Sequence, residues 1–172
     1  LSDDNYFYNW SVTAYDGYQY GDASNQSNFS ILGQIIVTLI NDTVNFSSKN
    51  IRDLDNTTDF NPQPITLQND GNCIITLNLS SATRLFSSGS FPGSNYMIRV
   101  NESSGYEGSF SNNASSQISW TNVPIVNNTL FDRLNYSTGR DRGDIHIHIQ
   151  VPDDEPSGSK SSILTLAGWY AL

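Results

Sequence analysis

Apolar residues recur along the chain in short runs of period two, separated by clusters of Gly, Asn, Asp, Pro and Ser. No window places apolar residues at three-and-four spacing over three turns, so the pattern predicts strands and no helix. Between Tyr6 and Tyr15, the residues Tyr6, Tyr8, Trp10, Val12 and Ala14 alternate with Asn9, Ser11 and Thr13. A strand there has one apolar face and one polar face. Gly17 and Gly21 then break the pattern. Ile31 to Ile40 is apolar on both faces, which predicts a central strand covered on both sides, with Thr43 to Ser47 as a possible continuation.

Phe60-Asn61-Pro62-Gln63-Pro64 leads into Ile65 to Gln68, and Asn69-Asp70-Gly71-Asn72 reads as an Asp-Gly hairpin turn. Next, Cys73, Ile75, Leu77 and Leu79 point inward, with Thr76 and Asn78 on the wet face. Tyr96, Ile98 and Val100 mark a further strand, and Ile118 with Trp120 another. Ile145, Ile147, Ile149 and Val151 alternate inward against His146, His148 and Gln150. Ile163 to Leu172 closes the chain, again apolar on both sides. About seven to nine antiparallel strands predict a single all-β sandwich of immunoglobulin or jelly-roll type. The expected organisation is an N-terminal strand over residues 1–20 and a sandwich domain over residues 21–172.

A length of 172 residues is enough to bury a core. The net charge of −9, with eight Lys plus Arg, disfavours nucleic acid and anionic membrane surfaces as partners. No run approaches the roughly 18 apolar residues of a membrane-crossing helix. Cys73 is the one cysteine, so no disulfide forms within the chain, and its apolar neighbours predict a buried, inert thiol. A start at Leu1 reads as a mature product whose signal peptide has been cut.

Asn-X-Ser/Thr sequons change this picture most. They begin at Asn9, Asn25, Asn28, Asn41, Asn45, Asn56, Asn78, Asn101, Asn113, Asn127 and Asn135. Such a density predicts N-linked glycans, covalently attached, on an extracellular or cell-surface protein. No other cofactor is expected.

Candidate chemistry is sparse. His146 and His148 share one strand face and are weak metal candidates, because a third ligand is not evident. The acidic clusters Asp53, Asp55, Asp59 and Asp153-Asp154-Glu155 lack calcium-loop spacing and read as solvated turns. Arg142-Gly143-Asp144 falls immediately before a strand, and a tripeptide recurs by chance. No nucleophilic triad, phosphate loop or acidic pair in apolar surroundings is apparent, so no catalytic residue is assigned and no enzyme is expected. Lys49 and Lys160 are the only lysines available for an isopeptide bond.

The opening strand invites a different use. A strand with exposed edges must be paired, covered or blunted. Inserted into the sheet of a neighbouring copy, it would join subunits head to tail into a non-closing helical homopolymer. Burying Trp10, Val12 and the tyrosines gives on the order of 8 kcal/mol before entropic costs. A glycan at Asn9 then requires Asn9 and Trp10 to face opposite ways.

The stretch Asp55-Asn56-Thr57-Thr58-Asp59-Phe60-Asn61-Pro62-Gln63-Pro64-Ile65, the turn Asn69 to Asn72 and the ending Val151-Pro152-Asp153-Asp154-Glu155-Pro156-Ser157-Gly158-Ser159-Lys160-Ser161-Ser162 resemble archaeal secreted surface proteins. Similar endings occur in archaeal extracellular filament subunits, such as threads and bundling pili, and in the TasA/camelysin matrix-fibre family. The resemblance implies a glycosylated donor-strand filament with a role in adhesion or biofilm, contacting cell surfaces or other filaments. Two other readings stand beside it. One is a monomeric carbohydrate-binding adhesin module or S-layer-associated glycoprotein. The other is a metal-dependent hydrolase of camelysin type, which needs a third ligand beside His146 and His148.

Overall fold

The computed structural model describes residues 7–111 and 115–171. Tyr6, Asn113 and Leu172 therefore lie outside the described residues. Among those described there are thirteen strands and no helix. They are β1 (Phe7–Trp10), β2 (Thr13–Tyr15), β3 (Tyr20–Ala23), β4 (Ser27–Ser30), β5 (Val37–Asn41), β6 (Leu54–Asn56), β7 (Ile65–Asn69), β8 (Ile75–Ala82), β9 (Tyr96–Glu102), β10 (Thr121–Asn122), β11 (Asn128–Leu134), β12 (Arg142–Gln150) and β13 (Leu164–Tyr170). Among the described residues no helix is long and apolar enough to cross a membrane.

All strand pairs are antiparallel, as the alternating sequence predicts. A six-stranded sheet runs β10-β9-β12-β7-β5, with β6 also paired to β12. A three-stranded sheet, β11-β8-β13, faces it. The long strand β12 organises the larger sheet. One edge pairs with β9, and the other is shared by β7 along Arg142–Ile145 and β6 along His148–Gln150.

Register explains the core. Ile145, Ile147 and Ile149 stand opposite Val100, Ile98 and Tyr96, so one face of the large sheet is a continuous apolar layer. It packs on Ile75, Leu77 and Leu79 of β8 and on Leu130, Phe131 and Leu134 of β11. The positions on β8, β9 and β12 are the inward ones that alternation predicts, with Cys73 buried among them, whereas β11 was not foreseen and buries the adjacent Leu130 and Phe131 across a register shift. Each such Leu or Ile contributes about 1.5–3 kcal/mol on burial. Gly143 is required by this packing, because a Cβ there would stand 2.3 Å from Cε1 of Phe131.

Three local expectations change. The Asn69–Asn72 turn does not close a hairpin, because β7 and β8 belong to different sheets and the turn carries the chain across the core. The Asn69 side chain spans that crossover, donating from Nδ2 to the carbonyls of Cys73 (2.9 Å) and Leu134 (3.1 Å). Gly71 is needed there for space, since its Cβ would meet the Gln34 carbonyl oxygen at 2.1 Å.

The run Ile31–Ile40, expected to be central and covered, contributes the edge strand β5, with Ile36, Leu39 and Ile40 exposed. Its two apolar faces carried the pattern of a buried strand, but among the described residues no strand pairs with its outer edge.

The expected N-terminal strand is divided at Ser11–Val12 and is one arm of a hairpin. β1 pairs with β4 and β2 with β3, so a boundary at residue 20 falls inside a unit that extends to Ser30. Residues 8–32 are all exposed. The hairpin is anchored at its base, where Gln34 N–H donates to Asn72 Oδ1 (2.6 Å) and Tyr170 Oη–H donates to the Gly33 carbonyl (2.7 Å).

Candidate functional site

A groove of about 1230 Å³ opens where the two sheets fail to match. The small sheet ends at β13, whereas the large sheet continues past it to β7 and β5. The floor is the inner face of the large sheet, from Ile65, Ile145, Ile147 and Ile149. Leu164 and Leu166 of β13 form one wall, and residues 42–51 with Leu39 form the other.

Both rims carry unused backbone. Among the described residues β13 pairs only with β8, and no strand pairs with its second edge. Across the groove, residues 42–48 belong to no strand and make no backbone–backbone hydrogen bonds among the described residues, although the Ser47 N–H donates to Asn45 Oδ1 (2.8 Å). Val44 and Phe46 of this segment nevertheless pack against the core, two residues apart as in a strand. The groove thus presents apolar surface between two rows of available N–H and C=O groups, which is the geometry a β-strand completes.

One end is closed by a charged lock. The Glu155 side chain is only 3% exposed and pairs with the Lys160 ammonium. Its oxygens accept from Ser87 N (3.0 Å), Ser87 Oγ (2.7 Å) and Ser88 N (2.7 Å). Burial alone pushes this carboxyl up, but Lys160 and the Ser87 and Ser88 donors outweigh it and hold the pKa at about 2. The turn read as solvated acids therefore holds its third acid buried. At the same end, Arg52 and Asp153 form a bidentate exposed pair (2.7 and 3.0 Å), and Lys49 pairs with Asp55. Both lysines are thus engaged with carboxylates.

The proposed donor residues Tyr8, Trp10, Val12 and Ala14 lie on the exposed hairpin. Asn9 and Asn28 are directly opposed across β1 and β4, as are Tyr8 and Phe29 one step along. Opposed residues project to one face and successive residues to opposite faces, so Tyr8, Trp10 and Phe29 share a side that excludes both sequons. Asn9 and Trp10 therefore face opposite ways, as a glycosylated donor strand requires. The second arm escaped the sequence reading because Tyr20–Ser30 is largely Ser, Asn, Gly and Asp; the alternating Ser27-Asn28-Phe29-Ser30 was its only signal.

Asn25, Asn45, Asn101 and Asn127 are exposed, and Asn45 stands on the groove rim. Asn41, Asn56 and Asn135 are half-buried. Nδ2 of Asn41 donates to the Pro64 carbonyl (2.5 Å). Asn56 and Asn101 lie opposite His148 and Asp144, so they project from the outer face of the large sheet. Asn78 corrects the expectation of a wet position. It is 6% exposed, because β11 and β13 flank the central strand β8 and its Nδ2 is turned to Asn127 Oδ1 (3.2 Å).

The outer face of β12 is also less open than its alternation suggests. Asp144 is buried and accepts from Thr66 Oγ1 (2.8 Å) and Ser103 Oγ (2.6 Å), which places the Arg-Gly-Asp tripeptide inside the sheet. His146 is buried against Thr57 (Nδ1 to Oγ1 3.1 Å) and edge-on to Phe60. Burial depresses its pKa, as does Arg99, against the opposing pull of Asp144 and Thr57. His148 lies against Trp120, which Arg99 also covers, and burial lowers its pKa. Among the described residues, no three His, Cys, Asp or Glu side chains converge as a metal-holding group.

Comparison of the chain with family models, with curated proteins and with solved structures returns no match.

Proposed function

We propose that this protein is a structural subunit of an extracellular filament, polymerising by strand complementation. The N-terminal segment of one copy fills the groove between β5 and β13 of the next. The single observation that carries this reading is the open groove, with an apolar floor and unpaired backbone on both rims. It explains why β5 and β13 have the two-sided apolar pattern of covered strands yet lie at sheet edges: the cover comes from another copy. A head-to-tail contact of this kind does not close on itself and generates a fibre. The sequons fit the same reading, since sugars on Asn9 and Asn28 point away from the apolar side that docks. N-linked glycans, export and a role in adhesion or biofilm belong to this proposal, as does the likeness of the turn motifs to archaeal filament subunits.

The test is removal of residues 1–30, followed by sedimentation and electron microscopy under conditions where the intact chain polymerises. Polymers that persist unchanged would sink the proposal.

A second reading draws on the same hairpin. Tyr18 is 95% exposed and Tyr20 74% exposed. Exposed aromatic rings can stack on sugar faces, so a monomeric surface adhesin or S-layer-associated module is the alternative. Titrating oligosaccharides against the monomer, with Tyr fluorescence as readout, separates the two readings.

A further inference from the structure

We infer that the insert is the intact hairpin of a second copy, β1 together with β4, and not a single strand pulled free. This rests on the filament reading above and specifies what enters the groove. Three observations point to it. First, the chain already pairs β1 with β4 over four residues each, so single-strand insertion would have to break that ladder. Second, amphipathicity belongs to the pair: Tyr8 and Trp10 from one arm and Phe29 from the other share a face, while the sequons of both arms share the opposite one. A lone inserted β1 would leave Phe29 without a cover. Third, the groove has two rims with free backbone, and a two-stranded insert has two outer edges, one for each.

Tyr8, Trp10, Val12 and Phe29 are 44–58% exposed, so they still offer on the order of 400 Å² to a partner. The matching groove surface adds a comparable area, and ladders along both rims add main-chain hydrogen bonds to this apolar contact. An isolated two-stranded hairpin is marginal in water, so docking also supplies the packing that this one lacks within its own chain.

The inference is tested by locking the hairpin. Asn9→Cys/Asn28→Cys, oxidised, joins the two arms covalently, and Asn9→Ser/Asn28→Ser controls for the lost sequons. Oxidised protein that forms filaments as readily as reduced protein is the expected result. Assembly that is lost on oxidation and returns with dithiothreitol would overturn the hairpin while leaving strand complementation standing.

A photocrosslinking amino acid at position 10 or at position 29, in chains with both sequons intact, decides the same point independently. In mixed light and heavy isotope preparations, both positions should couple to Ile65, Ile147 or Leu164 peptides of another copy. Coupling from position 10 alone overturns the hairpin. Coupling only within one copy, or none, overturns it together with the filament reading.

Discussion

The Tyr8 and Phe29 rings stack with centroids 5.1 Å apart across the N-terminal hairpin, one step from the opposed sequon asparagines Asn9 and Asn28. Asn9 and Asn28 are thereby set on the face opposite Tyr8, Trp10 and Phe29, in a unit whose residues 8–30 are all exposed. In the filament reading proposed above, the exposed amphipathic hairpin and the apolar groove are complementary halves of one contact between copies.

Trp10→Ser removes donor surface without touching the sandwich. Losing about 1.5–3 kcal/mol of burial raises the critical concentration for assembly about 10- to 100-fold. Because Trp10 is 54% exposed in the subunit, unfolding stability changes by no more than about 0.5 kcal/mol. Sedimentation across a concentration series and urea unfolding measure the two effects separately.

Leu39→Glu should disable the groove in the same way, since Leu39 lines it and is 47% exposed. This variant can donate and not accept, whereas Trp10→Ser accepts and donates poorly. Below the raised critical concentration of Trp10→Ser, analytical ultracentrifugation of an equimolar mixture should show dimers and no filaments, and each variant alone should remain monomeric.

The Glu155–Lys160 lock gives a pH signature. The folded carboxyl titrates near 2 against an ordinary 4.5, so the folded state binds fewer protons than the unfolded one. Its stabilisation is complete above pH 4.5 and is lost as pH falls toward about 2. Glu155→Gln should lower Tm at neutral pH, and the gap from the unaltered protein should close across that window. A gap that is constant with pH would remove the assignment.

Occupancy of the sequons should follow exposure. Glycopeptide mass spectrometry of the secreted protein should find sugar at Asn9, Asn28, Asn101 and Asn127 and none at Asn78. A glycan at Asn78 would require the β11–β8–β13 sheet to open around it.

Gly143→Ala tests the core independently of assembly. With 2.3 Å between the new Cβ and Phe131, overpacking costs about 1–3 kcal/mol. At about 2–4 °C per kcal/mol for a chain of this size, Tm falls by several degrees.

Much of the fold was legible because it lies in period-two alternation. Ile145, Ile147 and Ile149, and likewise Ile75, Leu77 and Leu79, are buried where their spacing puts them. Pairing partners were not legible, since alternation sets the face of a strand and not its neighbour. The Asp-Gly turn therefore looked like a hairpin when it crosses between sheets, and β5 looked central when it lies at an edge. The N-terminal residues proposed as donor were visible as a strand, but the Ser- and Asn-rich second arm hid the hairpin. The groove had no local sequence signal, because it is made by a strand that the small sheet lacks.

The central claim is that the groove between β5 and β13 is filled by another copy. A cryo-electron microscopy reconstruction of the assembled protein tests it most directly. The account predicts β-density over Ile65, Ile145 and Ile147, continuous with the chain of the neighbouring subunit. An empty groove, or density that traces back to the same subunit, would contradict it.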